Sequence, residues 1–239
     1  MRSGDTDKHP VELQRTFFDV EKNRYERNLI VNPPLHTALE LDAVIERLGK
    51  VAPKGPVIDF GAGSGRLTIP LLQRGYSVLA VDVSSSSLAN LEALAESLSL
   101  PSLRTSSTLP QHQKHKAIVG CDILHHIDLD EYLPVFHDLL EPEGRVIFSE
   151  PGAFNPTWYI YLPLFYDWKV EKGVTACTLP NLKKKLHKYG FRNVNITGLG
   201  LLPRPFLNFS AKACKLNDRL GSLPVLEYFA YRYIIEASA

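Results

Sequence analysis

Cysteine is scarce in this chain, neither sign of charge is in excess, and no apolar run is long. The three cysteines, Cys121, Cys177 and Cys214, are odd in number and far apart. That excludes a disulfide framework, offers no cysteine metal site, and makes a reducing, cytoplasmic setting the expectation. Lys and Arg number 27 against 26 Asp and Glu, for a net charge of +1. This leaves no electrostatic footprint for nucleic acid. No stretch reaches the roughly 18 apolar residues of a membrane-spanning helix. The opening MRSGDTDKHP has no apolar signal core. His112 and His115 lie three apart in a polar, irregular segment without metal-ligand logic, so no metal is expected. With 239 residues and no internal repeat, a single domain with a substantial core is expected.

What is present is concentrated between Val57 and Asp82. Val57-Ile58-Asp59-Phe60 reads as a short buried strand. Glycines follow at every second position: Gly61, Gly63 and Gly65. Leu67, Leu71 and Leu72 then repeat with helical spacing, Gly75 breaks the helix, and Ser77–Val81 reads as a second strand that stops at Asp82. Strand, glycine turn, helix, strand and terminal acid make up half of a nucleotide-binding α/β unit. Glycine lets the turn take positive φ and lets backbone lie against a ligand. An acid at the second strand tip suits ribose hydroxyls. A dinucleotide fingerprint would read G-x-G-x-x-G, with a pyrophosphate over the helix N-terminus. Here the spacing is G-x-G-x-G, and Asp59 would repel a pyrophosphate while suiting a ligand that carries an ammonium group.

D-x-G-x-G-x-G followed by an acid closing the next strand resembles the first motif of the class I S-adenosylmethionine-dependent methyltransferases. The resemblance is specific over about 56–151 and softer from 179 to 236. It implies a three-layer α/β/α Rossmann-like fold with a seven-stranded, mostly parallel sheet whose last strand is antiparallel. It also divides the chain into an N-terminal helical cap (1–50), a cofactor-binding core (56–151), a substrate lid (152–178) and the second half of the sheet (179–239). The cofactor would be S-adenosyl-L-methionine and the product S-adenosyl-L-homocysteine. By the same resemblance Asp59 would reach the methionine amino group. Gly61, Ala62, Gly63 and Gly65 would approach the cofactor through backbone, and Asp82 with Val83 would meet the ribose. Family members often carry an acid after the third strand for the adenine. This chain has Ser106-Ser107-Thr108-Leu109 there, which leaves that contact to backbone atoms or Ser107. Cys121 falls at the end of the fourth strand, beside the reaction centre.

Periodicity predicts helices over Val11–Asn28 and His36–Leu48, the second capped by Gly49. It also predicts helices from the serine run 84–87 to Leu98, over Leu129–Leu140, from Thr178 to Tyr189 and over about 207–220. Strands are expected at Leu103–Ser107, Ala117–Leu124, Arg145–Ser149, Phe191–Thr197 and Tyr231–Ile235, with Glu141–Gly144 as a turn. The fourth strand runs into Asp122-Ile-Leu-His-His-Ile. A ligand crevice lies beyond the carboxyl ends of such strands, so His125 and His126 are candidate general bases. Glu150, at the tip of the fifth strand, is a third candidate, with turn chemistry as its rival role. The N-terminal helices lie across the cleft in the family, which makes Tyr25 and His36 candidate substrate contacts.

After Phe154, six more aromatics crowd the stretch to Val170: Trp158, Tyr159, Tyr161, Phe165, Tyr166 and Trp168. Of these, Trp158, Tyr161, Phe165 and Tyr166 are the candidate walls of an apolar or ring-binding pocket. Core packing, a dimer interface and a peripheral membrane or lipid contact are the competing readings. The function expected is methyl transfer to a small apolar or aromatic-containing acceptor, with O-methylation preferred, by a monomer or homodimer that binds no nucleic acid. The rivals are a non-catalytic member of the fold and an NAD(P)-dependent oxidoreductase.

Overall fold

The structure, a computed structural model, describes residues 27–111, 113–165 and 167–239. The candidates Tyr25 and Tyr166 and most of the predicted 11–28 helix lie outside the described residues. Within them the chain opens with α1 (Arg27–Val31) and α2 (Leu35–Val51). It then alternates through β1 (Pro56–Phe60), α3 (Thr68–Gln73), β2 (Ser77–Val81), α4 (Ser85–Ser97) and β3 (Leu103–Ser106). After β4 (His115–Cys121) come α5 (Leu129–Leu139), β5 (Leu140–Pro151), α6 (Pro156–Phe165) and α7 (Trp168–Glu171). The last elements are α8 (Leu179–Lys188), β6 (Arg192–Leu199), α9 (Ala211–Gly221) and β7 (Arg232–Ser238).

The seven strands form one sheet in the order β3-β2-β1-β4-β5-β7-β6. Pairing is parallel from β3 through β5, and β7 runs antiparallel between β5 and β6. Strand order reverses between β1 and β4, so a crevice opens where their carboxyl ends diverge. One face of the sheet packs α2, α3 and α4 through Val44, Leu48, Ile69, Leu71 and Leu91. The other packs α5 and α8 through Leu133, Phe136, Leu182 and Leu186. Truncating one of these to alanine costs about 2–5 kcal/mol. Side-chain caps start the helices where the sequence placed them: Ser84 Oγ accepts from the Ser87 N–H at 3.2 Å and Asp128 from that of Asp130 at 2.8 Å.

Several boundaries differ from the sequence reading; β7, for one, runs past Ile235 to Ser238. α2 runs past Gly49 to Val51 and is stopped by Pro53, with Ala52 as its cap. β4 ends at Cys121 because Asp122 takes φ +57°, which leaves the strand conformation; Leu124–His126 is a 3-10 turn instead. Glu141–Gly144 is an excursion inside a long β5: the ladder steps from His115–Leu140 to Ala117–Arg145, with Glu143 at φ +64°. The predicted 207–220 helix divides into a 3-10 turn at Arg204–Leu207 and α9. No helix among the described residues is long and apolar enough to cross a membrane.

Candidate active site at the switch point

The glycine turn is anchored to the end of β2. The N–H groups of Gly61 and Ala62 both donate to the Val81 carbonyl, at 2.8 and 3.1 Å. Gly63 donates to Asp82 Oδ2 at 2.7 Å, and the Ser84 N–H donates to Oδ1 at 2.8 Å. The glycines serve two purposes. A Cβ at Gly61 would meet Ile123 at 2.5 Å, so that glycine lets the turn touch the β4 loop. Gly63, at φ +51°, has nothing within 4 Å of its Cβ direction and faces open space. Asp59 lies beneath, fully buried, its Oδ2 accepting from Thr68 Oγ1 at 2.6 Å. Burial, reinforced by the nearby Asp82 charge and opposed by the Thr68 hydrogen bond, pushes its pKa up to about 7. Gly63 and Asp82 are thus joined at an open position, and Asp59 lies buried beside them, its charge felt by Asp82 and its Oδ2 held by Thr68. Val83 is half-buried and Ser107 exposed, at the tips of β2 and β3.

A buried ionic network that the sequence reading missed joins this turn to the next strands. Arg66, directly after Gly65, pairs with Asp122 and reaches Glu40 Oε1 at 3.2 Å. Arg232 of β7 binds Glu40 at 2.9 Å and Asp122 at 2.5 Å. Arg204, fully buried, makes a two-point contact with Asp218 at 3.1 Å and lies 3.8 Å from Glu40. Burial opposes the charge on Asp122, but Arg232 and Arg66 outweigh it and hold the carboxyl well below its usual range. Cys121, beside this network, is pushed the other way by burial, its thiol held well above the usual range. One signal was available in sequence: Glu40 stands on the stripe shared with Val44 and Leu48, where a charge needs a partner.

The tip of β4 corrects two of the three base candidates. Glu150 does not face open space. It is fully buried, Oε1 accepting from the N–H groups of Ile123 and Leu124, both at 2.8 Å, and Oε2 binding His125 Nδ1 at 2.7 Å. Turn chemistry, its rival role, is what the geometry shows. His125 is buried between that carboxylate and Glu171, whose Oε2 lies 3.3 Å from Nε2. Burial works to lower its pKa, but Glu150 first and Glu171 next outweigh it, and the value is held up at about 10. An imidazole already protonated at neutral pH is no base. His126 remains: its ring lies 4.0 Å from that of His125, and its Nε2 is 3.8 Å from the same Glu171 oxygen.

The aromatic segment divides in two. Trp158 is buried, stacked on Tyr231 at 4.4 Å, and donates its indole N–H to the Tyr231 carbonyl at 2.8 Å, so core packing claims it. Tyr161 and Phe165 lie on α6 with their rings 4.9 Å apart, and Phe165 is 68 % exposed alongside exposed Ile160 and Leu164. His36 is held by Asn208, whose Oδ1 lies 3.2 Å from its Nδ1, and burial lowers its pKa. A separate cavity of about 620 Å³ between α4 and β3, lined by Glu92, Ala95, Leu103 and Arg104, shares no residue with this site.

Residues 35–196 match the family model of a methyltransferase domain. No curated protein matches the chain in sequence. Among solved structures, geranyl diphosphate C-methyltransferase from Streptomyces coelicolor A3(2) is similar at 13 % identity and a TM-score of 0.66, covering 97 % of this chain and 98 % of that one. Magnesium protoporphyrin IX methyltransferase from Synechocystis PCC 6803, solved with bound S-adenosylmethionine, is similar at 17 % and 0.57 over 98 % and 99 %. Phosphoethanolamine N-methyltransferase 2 from Haemonchus contortus is similar at 18 % and 0.62, over 94 % of this chain and 60 % of that one. These likenesses share the fold described above, and the family match sets aside the oxidoreductase rival.

Proposed function

The chain belongs to the class I S-adenosylmethionine-dependent methyltransferases, and on that premise we propose that it methylates a small, apolar or ring-bearing acceptor, with a hydroxyl preferred. The observation that carries the reading is the open position at Gly63, whose N–H is held by Asp82, with the Asp59 carboxyl buried beside that acid. In this reading Asp82 accepts the ribose hydroxyls. Asp59 faces the methionine ammonium, and Gly61, Ala62, Gly63 and Gly65 line the cofactor with backbone. Val83, Ser107 and Cys121 border it. The sulfonium supplies the electrophilic methyl group, so the protein's main task is to hold the acceptor atom in line with it at about 3 Å. Tyr161 and Phe165, with Ile160 and Leu164 beside them, supply the apolar wall for the acceptor. Because His125 and Glu150 are tied to each other, the proton of an acceptor hydroxyl is left to His126, with Glu171 beside it. Three free cysteines suit a reducing, cytoplasmic compartment.

The test is transfer of a labelled methyl group from S-adenosylmethionine to a panel of phenols, long-chain alcohols and small hydrophilic amines. Labelling of the apolar hydroxyl compounds, with KM raised by Phe165→Ala, is the expected result. Labelling confined to the hydrophilic amines would overturn the acceptor class.

A further inference from the structure

The cluster at the tip of β4 joins two parts of the chain that are far apart in sequence. His125 and His126 sit on the 3-10 turn after β4, and Glu171 ends α7. The two meet because the turn at Lys172–Ala176 packs directly on the histidine turn. A Cβ at Gly173 would stand 1.8 Å from the His125 carbonyl oxygen, an approach open only to glycine. Ionised Glu150 can only accept, so His125 Nδ1 carries the hydrogen of their 2.7 Å bond. That fixes Nε2 as the atom facing Glu171. A carboxylate on one imidazole nitrogen that orients the other is the outer-shell arrangement of metal-bound histidines.

We propose that His125 Nε2, His126 Nε2 and a Glu171 carboxylate oxygen form a binding site for one divalent transition-metal ion, oriented by Glu150, the ion taking the place of the proton that His125 Nε2 otherwise holds toward Glu171 and releasing it to solvent. The three ligand atoms lie within 4.8 Å of one another, and the two histidine nitrogens stand 3.3 and 3.8 Å from the same Glu171 oxygen. Bonds of about 2.0–2.2 Å to zinc at tetrahedral angles separate ligand atoms by roughly 3.3–3.6 Å, so small rotations suffice. The ligand side chains are only 3 to 8 % exposed, which keeps water from competing for them. Two imidazoles and one carboxylate favour zinc, cobalt, manganese or iron over magnesium, which prefers oxygen ligands and retains its waters. The ion would fasten the lid helix α7 to the β4 turn. The Lewis-acid activation of an acceptor hydroxyl is the only part that rests on the proposed function; the site itself stands on its own geometry.

The test uses the full chain, stripped with a chelator and titrated with Co²⁺. The result expected is one ion per chain, with visible absorption of a four- or five-coordinate nitrogen–oxygen site that Zn²⁺ displaces and Mg²⁺ does not. Glu171→Gln and His126→Gln should each weaken Co²⁺ binding about tenfold or more, while S-adenosylhomocysteine binding, read in the same samples, is retained and reports intact folding. Absence of stoichiometric Co²⁺ binding by the unmodified chain overturns the proposal, whatever the variants do. So does binding that survives both substitutions, which would mean an adventitious surface site. A chain that binds Co²⁺ but transfers no methyl group to hydroxyl acceptors keeps the metal site and loses the activation step alone.

Discussion

The two sides of the cleft hold their polar groups by different means. On the β1–β2 side the contacts are local: Thr68 meets Asp59 across 9 positions and Gly63 meets Asp82 across 19. The acidic group there is kept close to neutral by burial and has one hydroxyl partner in Thr68. On the β4–β5 side the contacts are distant: Ser149 meets Glu40 across 109 positions and Arg232 meets Asp122 across 110. Glu40 and Asp122 there stay charged, because arginines stand against them and outweigh their burial. Asp59 is held by a neutral hydroxyl, so a cationic ligand that pairs with it breaks no salt bridge. Acids already satisfied by the protein serve to fix the loop shape.

That contrast is broken most severely at Glu150. Glu150→Ala strips the N–H groups of half-buried Ile123 and buried Leu124, and buried His125, of their partner. Denaturant unfolding should show a loss of about 3–5 kcal/mol. A mild loss would mean that the β4 turn does not depend on its carboxylate.

At Asp59 the sign reverses. Its folded pKa of about 7 lies above the unfolded value near 3.8, so the folded chain keeps a proton that the unfolded chain releases. The stabilisation this gives is complete below about pH 4 and fades as pH rises through 7. Asp59→Asn should remove that slope. Near neutrality it should raise stability by roughly 1–3 kcal/mol, well short of the full shift, while weakening cofactor binding. In the unmodified chain S-adenosylhomocysteine should bind more tightly as pH rises from about 5 to 7, releasing a proton, because an ammonium favours the ionised acid. Calorimetry in buffers of different ionisation enthalpy reads that proton directly.

A smaller effect separates the glycines. Gly61→Ala drives a methyl group into Ile123, at 2.5 Å, and should cost about 1–3 kcal/mol of stability. Gly63→Ala meets no atom, so its stability cost should be about 1 kcal/mol, from φ alone, with its main effect on cofactor binding. Phe165→Ala, already exposed, should change stability by less than about 0.5 kcal/mol and act on the acceptor's KM alone.

The same contrast explains what could be read without coordinates. Asp59, the three glycines and Asp82 form one short strand–turn–helix–strand unit, in which sequence spacing is spatial spacing. The cap in the serine run at Ser84 and the antiparallel last strand were equally legible, the strand through family resemblance. Glu171, Arg204 and Arg232 left no local signal, since their partners lie far away in the chain. His125 and Glu150 were identified as residues of interest but misread in role. Their mutual bond depends on the register of β4 against β5, which periodicity does not specify. Trp158 was counted as pocket wall because nothing in its own segment announces Tyr231.

The central claim is that the Asp59–Gly63–Asp82 position holds S-adenosylmethionine. It is tested most directly by calorimetric titration of the purified chain and of Asp82→Ala with S-adenosylhomocysteine, with NADH as comparator. Micromolar binding of S-adenosylhomocysteine and none of NADH is expected, with affinity falling about tenfold or more in Asp82→Ala, a loss of roughly 1.4 kcal/mol or greater. Binding that is absent, or unaffected by the substitution, would contradict it.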